Sequence, residues 1–273
     1  PVDPSPYVVD QVTYTSKDGT PVTMFLVHRK DLQKNGENPT LLYGYGGFDI
    51  SLTSSFNSFI YPWLEAGGMY AVPNLRGGGE YGKAWHDGGR GAKKQNVFDD
   101  FAGAAEYLIR EKYTSPEKLG IRGGSNGGLL VGAAMTQRPE LYGAVICAVP
   151  LLDMLRYHLF GSGKTWIAEY GDPEVEAEHA VLKAYSPYHH VKERGSYPPL
   201  LMMSADHDDR VDPMHARKFV GLVQGATKGQ SQVWLRIEAH AGHGGADQVA
   251  KSIESSADQI AFLMAALKVK PPQ

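Results

Sequence analysis

The segment Gly123-Gly-Ser-Asn-Gly127 constrains the fold of this chain more than any other feature. It joins a predicted strand, Lys118 to Arg122, to a run of small and apolar residues with helical spacing, Gly127 to Arg138. A G-x-S-x-G sequence in a strand–turn–helix setting is typical of a nucleophile elbow, where a strained turn lifts the serine hydroxyl above the sheet edge. The alternative is an ordinary glycine-rich turn, since a chain with 32 glycines produces such strings easily. The flanking strand and helix favour the elbow, so Ser125 is the candidate nucleophile.

Predicted strands alternate with predicted helices along most of the chain. After a hairpin around Lys17-Asp-Gly-Thr20, where Asp-Gly should supply positive φ angles, strands are predicted at 40–43, 69–73, 118–122, 141–149, 200–204 and 233–238. Helices are predicted at 97–112, 127–138, 213–224 and 247–267. This alternation predicts an α/β protein with the α/β-hydrolase fold, in which helices cover both faces of a mostly parallel sheet. No low-complexity linker or internal repeat divides the sequence, so residues 1–273 are predicted to form a single domain.

Candidate partners for Ser125 follow the last two predicted strands. The strand ending at Ser204 leads into Ala205-Asp-His-Asp-Asp-Arg-Val-Asp212, and the strand ending at Glu238 leads into Ala239-His-Ala-Gly-His-Gly-Gly245. This is the order of serine, acid and histidine that the α/β-hydrolase arrangement requires, with each group at the carboxyl end of a strand. A neutral imidazole would take the serine proton during attack, and a carboxylate would orient the imidazole.

More than one residue competes for each of these two roles. Asp206, Asp208 and Asp209 share the first loop, and spacing does not choose among them. His240 and His243 share the second loop, where flanking glycines give His243 room to reach the serine. The two histidines do not match the H-E-x-x-H pattern of a zinc-binding helix, so no metal site is expected.

An acyl-transfer site also needs donors for the oxyanion that forms during attack. The loss of one such donor costs about 3–4 kcal/mol of transition-state stabilisation. In this fold one donor is the backbone N–H of the residue after the nucleophile, which here is Asn126. The other donor comes from the loop after the third strand, which predicts a role for Tyr43-Gly-Tyr-Gly-Gly-Phe48.

The composition argues against other classes of function. The net charge is −3 and no long basic tract is present, so no nucleic-acid partner is expected. No run approaches the roughly 20 apolar residues that span a bilayer, so no membrane partner is expected. Cys147 lies in an apolar run and is predicted to be a buried core residue. The sequence begins at Pro1 without a methionine and could be a processed or excised piece. We expect a soluble protein, cytoplasmic rather than periplasmic.

Five segments, in order along the chain, resemble the prolyl oligopeptidase family of α/β-hydrolase peptidases. They are Tyr43-Gly-Tyr-Gly-Gly-Phe48, Asn74-Leu-Arg-Gly-Gly-Gly-Glu-Tyr-Gly82, Gly123-Gly-Ser-Asn-Gly-Gly128, Ala205-Asp-His-Asp-Asp-Arg-Val211 and Ala241-Gly-His-Gly244. The resemblance runs through nearly the whole chain from the first hairpin onward. Five ordered motifs are far more specific than the G-x-S-x-G string alone.

The resemblance implies roles for individual residues. It implies Asp208 as the acid and His243 as the base of a triad with Ser125. It implies that the hydroxyl of Tyr45 completes an oxyanion hole with the N–H of Asn126. The residues it implies for substrate binding are Arg210, Phe48, Leu151, Trp166, Tyr170 and Val211. The arginine would hold a carbonyl before the proline, and the others would line an apolar pocket, which suits a flat pyrrolidine ring. On spacing alone, Trp166 and Tyr170 are typical of an aromatic pair that packs a helix.

The function implied by the resemblance is that of a serine endopeptidase that cleaves short peptides after proline through an acyl-enzyme, without a cofactor. Two alternatives stay open: a carboxylesterase or other acyl hydrolase of the same fold, and an inactive catalytic fragment. Members of the family also carry a β-propeller that caps the active site. This sequence lacks blade-like repeats, so we expect a catalytic domain whose propeller partner is not in this chain.

Overall fold

The computed structural model describes residues 3–53, 55, 57–228, 231–245 and 249–270. Within them the strands are β1 (Tyr7–Thr15), β2 (Pro21–Arg29), β3 (Thr40–Tyr43), β4 (Met69–Pro73), β5 (Leu119–Gly124), β6 (Ala144–Ala148), β7 (Leu200–Ala205) and β8 (Val233–Glu238). The helices are α1 (Ile60–Glu65), α2 (Lys83–Asp87), α3 (Gln95–Arg110), α4 (Asn126–Gln137), α5 (Ile167–Tyr170), α6 (Glu176–Tyr185), α7 (Met214–Thr227) and α8 (Val249–Ala266). Short 3₁₀ turns occupy several of the connections.

All eight strands belong to one sheet in the order β1-β2-β4-β3-β5-β6-β7-β8. Strand β2 runs antiparallel to its neighbours β1 and β4, and every other neighbouring pair is parallel. The predicted α/β class and mostly parallel sheet are therefore confirmed. Because the parallel strands all end at one edge, the loops after β5, β7 and β8 emerge on the same side of the sheet.

Helices cover both faces of the sheet, as predicted. Along β6, Val145 and Cys147 enter one apolar cluster, while Ala144 and Ile146 enter the other, because successive strand residues point to opposite faces. The larger cluster includes buried residues of α3, α4, α6 and α7, and the smaller one includes residues of α1 and α8. Among the described residues, no helix is long and apolar enough to cross a bilayer.

The first hairpin turn differs from the prediction in its backbone. Ser16 N donates to Thr20 O at 2.8 Å, which closes the turn, and Gly19 has a φ of +88°. Asp18 does not have a positive φ; its carboxylate instead binds the Arg76 guanidinium, with Nη1 2.6 Å from Oδ2. Only Gly19 needs a positive φ, because the chain reverses through a loop longer than the two-residue turn that Asp-Gly was predicted to form.

Helices α1, α2, α5 and α6 were not predicted, and one predicted helix is described over a shorter range. In α6 only Leu182 and Tyr185 are buried, which leaves little hydrophobic periodicity to predict it from. The last helix was predicted to begin at Asp247, which lies outside the described residues, and α8 is described from Val249. The remaining boundaries shift by three residues or fewer, within the usual fraying of element ends.

The turn between β5 and α4 has the strained geometry of an elbow. Ser125 has φ 57° and ψ −117°, in a region that side chains rarely adopt. A Cβ atom on Gly123 would lie 2.0 Å from the carbonyl oxygen of Gly127, and one on Gly127 would lie 2.6 Å from the carbonyl oxygen of Gly44. Both flanking glycines are thus required by close backbone approach, which explains why the motif needs them.

We predict that Gly123→Ala lowers the free energy of unfolding by about 1–3 kcal/mol or more, because the added methyl collides with the backbone. The matched control is Gly221→Ala in α7, where a Cβ atom meets nothing within 4 Å. Alanine there should raise the free energy of unfolding by about 0.5–1 kcal/mol. Urea unfolding of both variants tests this, and equal midpoints would contradict the assigned close contact.

Candidate active site

Ser125 lies at the amino end of α4, above the carboxyl end of β5. Its backbone N–H donates to Ala148 O at 2.9 Å, which ties the elbow to the end of β6. Its hydroxyl makes no hydrogen bond with any residue that the structure describes. The candidate nucleophile is therefore held through its backbone, and its hydroxyl is available to a ligand.

Asp208 and His243 meet across the loops after β7 and β8. The side chain of Asp208 is 1% exposed, and its Oδ2 is 2.8 Å from His243 Nδ1. Its other oxygen accepts the backbone N–H of Arg210 at 3.1 Å and of Val211 at 2.9 Å. Because an ionised carboxylate only accepts, the His243 Nδ1–H donates to it, and Nε2 is left able to accept a proton.

The competing side chains lie elsewhere. Asp206 binds His207 Nδ1 at 2.7 Å and accepts the Ala241 N–H at 3.3 Å. Asp209 and His240 are exposed to solvent. Spacing left three aspartates and two histidines open, whereas the geometry joins Asp208 to His243.

Ser125 and His243 both lie near the end of β6, since the Ser125 N–H donates to Ala148 O and His243 lines a cavity with Ala148. Within the described residues, no hydrogen bond joins the Ser125 hydroxyl to the His243 ring. His243 lines a cavity of about 320 Å³ together with Ala148 and Val149, and the opposite wall comes from α8. The candidate acid and base are paired with each other, and the candidate nucleophile makes no hydrogen bond to either among the described residues.

The two predicted oxyanion donors are both without an acceptor among the described residues. They are the backbone N–H of Asn126 and the hydroxyl of Tyr45. Burial raises the pKa of Tyr45, with Tyr43 and Glu169 acting in the same direction and Arg210 opposing them. The phenol therefore stays protonated at neutral pH and can donate. The Asn126 side chain links the two, since its Nδ2 donates to Tyr45 O at 2.7 Å.

Lys94 supports this link and was not identified from the sequence. It is 1% exposed, and its Nζ donates to Gly46 O at 2.9 Å and to Asn126 Oδ1 at 3.1 Å. Burial lowers the pKa of Lys94 to about 8, and the Glu169 carboxylate opposes that shift. Lys94 lies where a 3₁₀ turn runs into α3, and no sequence signal distinguishes it from the neighbouring Lys93.

Glu169 is a second supporting residue that the sequence did not indicate. Its Oε1 accepts the Phe48 N–H at 2.8 Å, and its Oε2 is 2.7 Å from His86 Nε2. Phe48 has a φ of 57°, so this bond holds the glycine-rich loop in a left-handed conformation. The only sequence signal is an acidic residue directly before Tyr170.

The predicted pocket residues belong to one apolar cluster. Its buried members include Leu151, Tyr170 and Val211, and the half-buried Phe48 and Trp166 pack against it. The rings of Phe48 and Tyr170 meet edge to face, with centroids 5.6 Å apart. Tyr170 is only 1% exposed, so its ring offers little surface to a ligand. Its hydroxyl donates to Asn126 Oδ1 at 2.8 Å and so helps to position the residue that carries one of the proposed oxyanion donors. Arg210 is exposed, and its positive charge acts to lower the pKa of the Tyr45 phenol.

The sheet order, the strained serine after β5 and the acid–base pair after β7 and β8 are those of an α/β-hydrolase. Comparison with known proteins gives the family. The model of the prolyl oligopeptidase family matches residues 54–270. The chain belongs to the prolyl oligopeptidase family.

Individual relatives agree with this assignment. The prolyl endopeptidase of Elizabethkingia meningoseptica is 46% identical over 98% of this chain, and prolyl oligopeptidase A of Amanita bisporigera is 42% identical over 96% of it. The chain spans 38% and 35% of their lengths, respectively. A solved prolyl endopeptidase is 68% identical with a TM-score of 0.98, over 99% of this chain and 40% of the solved one. A post-proline cleaving enzyme from Rickettsia typhi is 41% identical with a TM-score of 0.95, over 98% of this chain and 39% of that chain.

The pKa of Lys94 predicts a pH-dependent stability. In the unfolded chain its amine keeps a proton up to its ordinary pKa of 10.5, whereas the folded protein releases it near 8. The unfolded state binds more protons in this window, so the contribution of Lys94 to the free energy of unfolding rises between about pH 8 and 10.5. The total rise is on the order of 3 kcal/mol.

The test compares urea unfolding of the unsubstituted chain and Lys94→Met from pH 7.5 to 9.5. The free energy of unfolding of the unsubstituted chain should rise relative to that of the variant across this range. The exposed neighbour provides the control, because Lys93→Met should show no such difference. Parallel curves for the chain and Lys94→Met would contradict the burial effect.

Proposed function

We propose that this chain is the catalytic unit of a serine endopeptidase that cleaves short peptides on the carboxyl side of proline. The observation that carries the proposal is the Asp208–His243 hydrogen bond of 2.8 Å, on loops that emerge beside the strained turn of Ser125. The prolyl endopeptidases among its relatives support the choice of substrate. No cofactor is needed, because the three side chains supply nucleophile, base and orienting charge.

The proposed reaction begins when the Ser125 hydroxyl attacks the carbonyl carbon of the proline residue. His243 Nε2 takes the hydroxyl proton, and Asp208 stabilises the imidazolium that forms. The backbone N–H of Asn126 and the Tyr45 hydroxyl donate to the oxyanion of the tetrahedral intermediate. His243 then passes its proton to the leaving amine, and water releases the acyl group in a second cycle of the same steps.

Proline selectivity is proposed to come from the apolar cluster beside the elbow. Trp166 and Phe48 are half-buried and leave part of their surface exposed, while Leu151 and Val211 are buried in the same cluster. Such a surface offers a pyrrolidine ring contact without a buried charge, whereas a basic side chain would need a carboxylate there. The exposed Arg210 guanidinium is able to donate to the carbonyl that precedes the proline.

No hydrogen bond joins Ser125 to His243 among the described residues, and this observation favours a second candidate, an inactive catalytic fragment. A closed triad requires a hydrogen bond between the Ser125 hydroxyl and His243 Nε2. We propose that a β-propeller, present in the longer family members, covers this face and that short peptides reach the serine beneath it. The chain spans only 35–40% of the length of the prolyl endopeptidase and prolyl oligopeptidase relatives, which leaves ample length for such a domain in them.

Hydrolysis of matched chromogenic peptides ending in proline, alanine or lysine tests the proposed substrate. We expect turnover of the proline peptide alone, and its loss in Ser125→Ala. Equal turnover of proline and alanine peptides would overturn the proline pocket, and turnover of simple acyl esters only would favour a carboxylesterase. A cooperatively folded chain with no turnover, and no labelling of Ser125 by a serine-directed phosphonate, would favour the inactive fragment.

A matched pair of aspartate variants tests the assignment of the acid. Asp208→Asn should lower kcat by about 10⁴-fold, because an amide in place of the carboxylate favours the wrong tautomer of His243. Asp209→Asn removes an exposed charge next to it and should change kcat only a few-fold. If the two variants lose the same activity, Asp208 does not have the proposed role.

A further inference from the structure

The loops after β7 and β8 hold a second group of polar side chains beside the acid–base pair. Asp206, His207 and His240 each offer a ligand atom, and these atoms lie within 4.8 Å of one another. His207 Nδ1 is 2.7 Å from Asp206 Oδ1, and the rings of His207 and His240 stack with centroids 5.9 Å apart and planes 27° apart. One carboxylate and two imidazoles thus lie close together at the surface.

The backbone already holds this group together. The His207 N–H donates to Ala241 O at 3.1 Å, and the Asp206 N–H donates to Glu238 O at 3.1 Å. In return the Ala241 N–H donates to Asp206 Oδ1 at 3.3 Å. Because two segments carry the three ligands and these bonds join the segments, the backbone holds the three side chains near one another.

The charge and chemistry of the group suit a divalent transition metal. Within the described residues, the ion-pair partner of Asp206 is His207 alone, so no lysine or arginine occupies the carboxylate. Nitrogen and oxygen ligands at about 2.0–2.2 Å are those that zinc uses, and three protein ligands with a water complete its tetrahedron. Such ligands lie about 3–3.5 Å apart, which the exposed rings of His207 and His240 can reach by rotating.

We propose that Asp206, His207 and His240 bind one zinc ion, and that this ion fastens the loop carrying His243 to the loop carrying Asp208. This site was not predicted, because only the pair of His240 and His243 was considered as metal ligands from the sequence, and that pair was rejected. In the structure His240 faces the neighbouring loop, while His243 binds Asp208. On its other side the 240–245 loop borders the cavity of about 320 Å³. The ion would hold the 240–245 loop at His240, on the side that faces the loop carrying Asp206 and His207.

The first test is calorimetric titration of the metal-free chain with zinc chloride. We expect one zinc ion per chain, with affinity at least about tenfold weaker in His207→Ala and in His240→Ala. His190→Ala is the matched control, because its Nε2 binds Lys183 O at 2.9 Å, away from the group, and binding should be unchanged. His243→Ala should also keep the affinity, which separates the proposed site from a site built on His240 and His243.

Two results would overturn the proposal. One is the absence of saturable binding in a chain that unfolds cooperatively, and the other is unchanged affinity in His240→Ala. A second measurement reports on the loop itself: zinc should slow amide hydrogen exchange across residues 240–245 in the unsubstituted chain but not in His240→Ala. Exchange slowed equally in both proteins would mean that zinc binds elsewhere.

Discussion

The side chain of Asn126 is the interaction on which the rest of the candidate site depends. Its Oδ1 accepts hydrogen bonds from Lys94 Nζ and the Tyr170 hydroxyl, and its Nδ2 donates to Tyr45 O. A buried amide left without partners costs about 1–3 kcal/mol. Because every polar atom of the Asn126 side chain is bonded in this way, other positions of the side chain are less stable. Because Asn126 follows Ser125 directly, that arrangement fixes the elbow and the glycine-rich loop relative to each other, and with them both proposed oxyanion donors.

The acid and base are positioned by a different means, namely the register of the sheet. Strands β7 and β8 pair in parallel through Ser204 with Ile237 and Ala205 with Glu238. The two loops therefore leave the sheet at the same level, and each needs only a few residues to bring its functional group to the other. The Asp208 carboxylate is then locked by two backbone N–H groups of its own turn, whereas His243 is held through that carboxylate.

The fold class and the turn at Ser125 could be predicted from the sequence, because both depend on residues that are close together in the chain. Alternating strands and helices fixed the class, and the glycines around Ser125 are required by backbone distances that only a tight turn produces. What the sequence could not resolve is which side chains meet between segments distant in sequence. Lys94 and Glu169 lie 32 and 121 residues from their partners Asn126 and Phe48, and nothing local marks either one. The choice among three aspartates depended likewise on one contact with His243.

The two halves of the candidate site are thus supported unequally. The serine side is held by a buried network and by close contacts between backbones, which leave little freedom. His243 lies on a glycine-rich loop that borders a cavity. Two hydrogen bonds join this loop to the loop after β7: His243 to Asp208, and the Ala241 N–H to Asp206. The backbone of Ser125 is held by close contacts, whereas its hydroxyl makes no hydrogen bond among the described residues and can rotate. The geometry between Ser125 and His243 therefore depends on the serine rotamer and on the position of the 240–245 loop. Whatever binds that loop, whether a neighbouring domain, a peptide or an ion on Asp206, would act on the second of these.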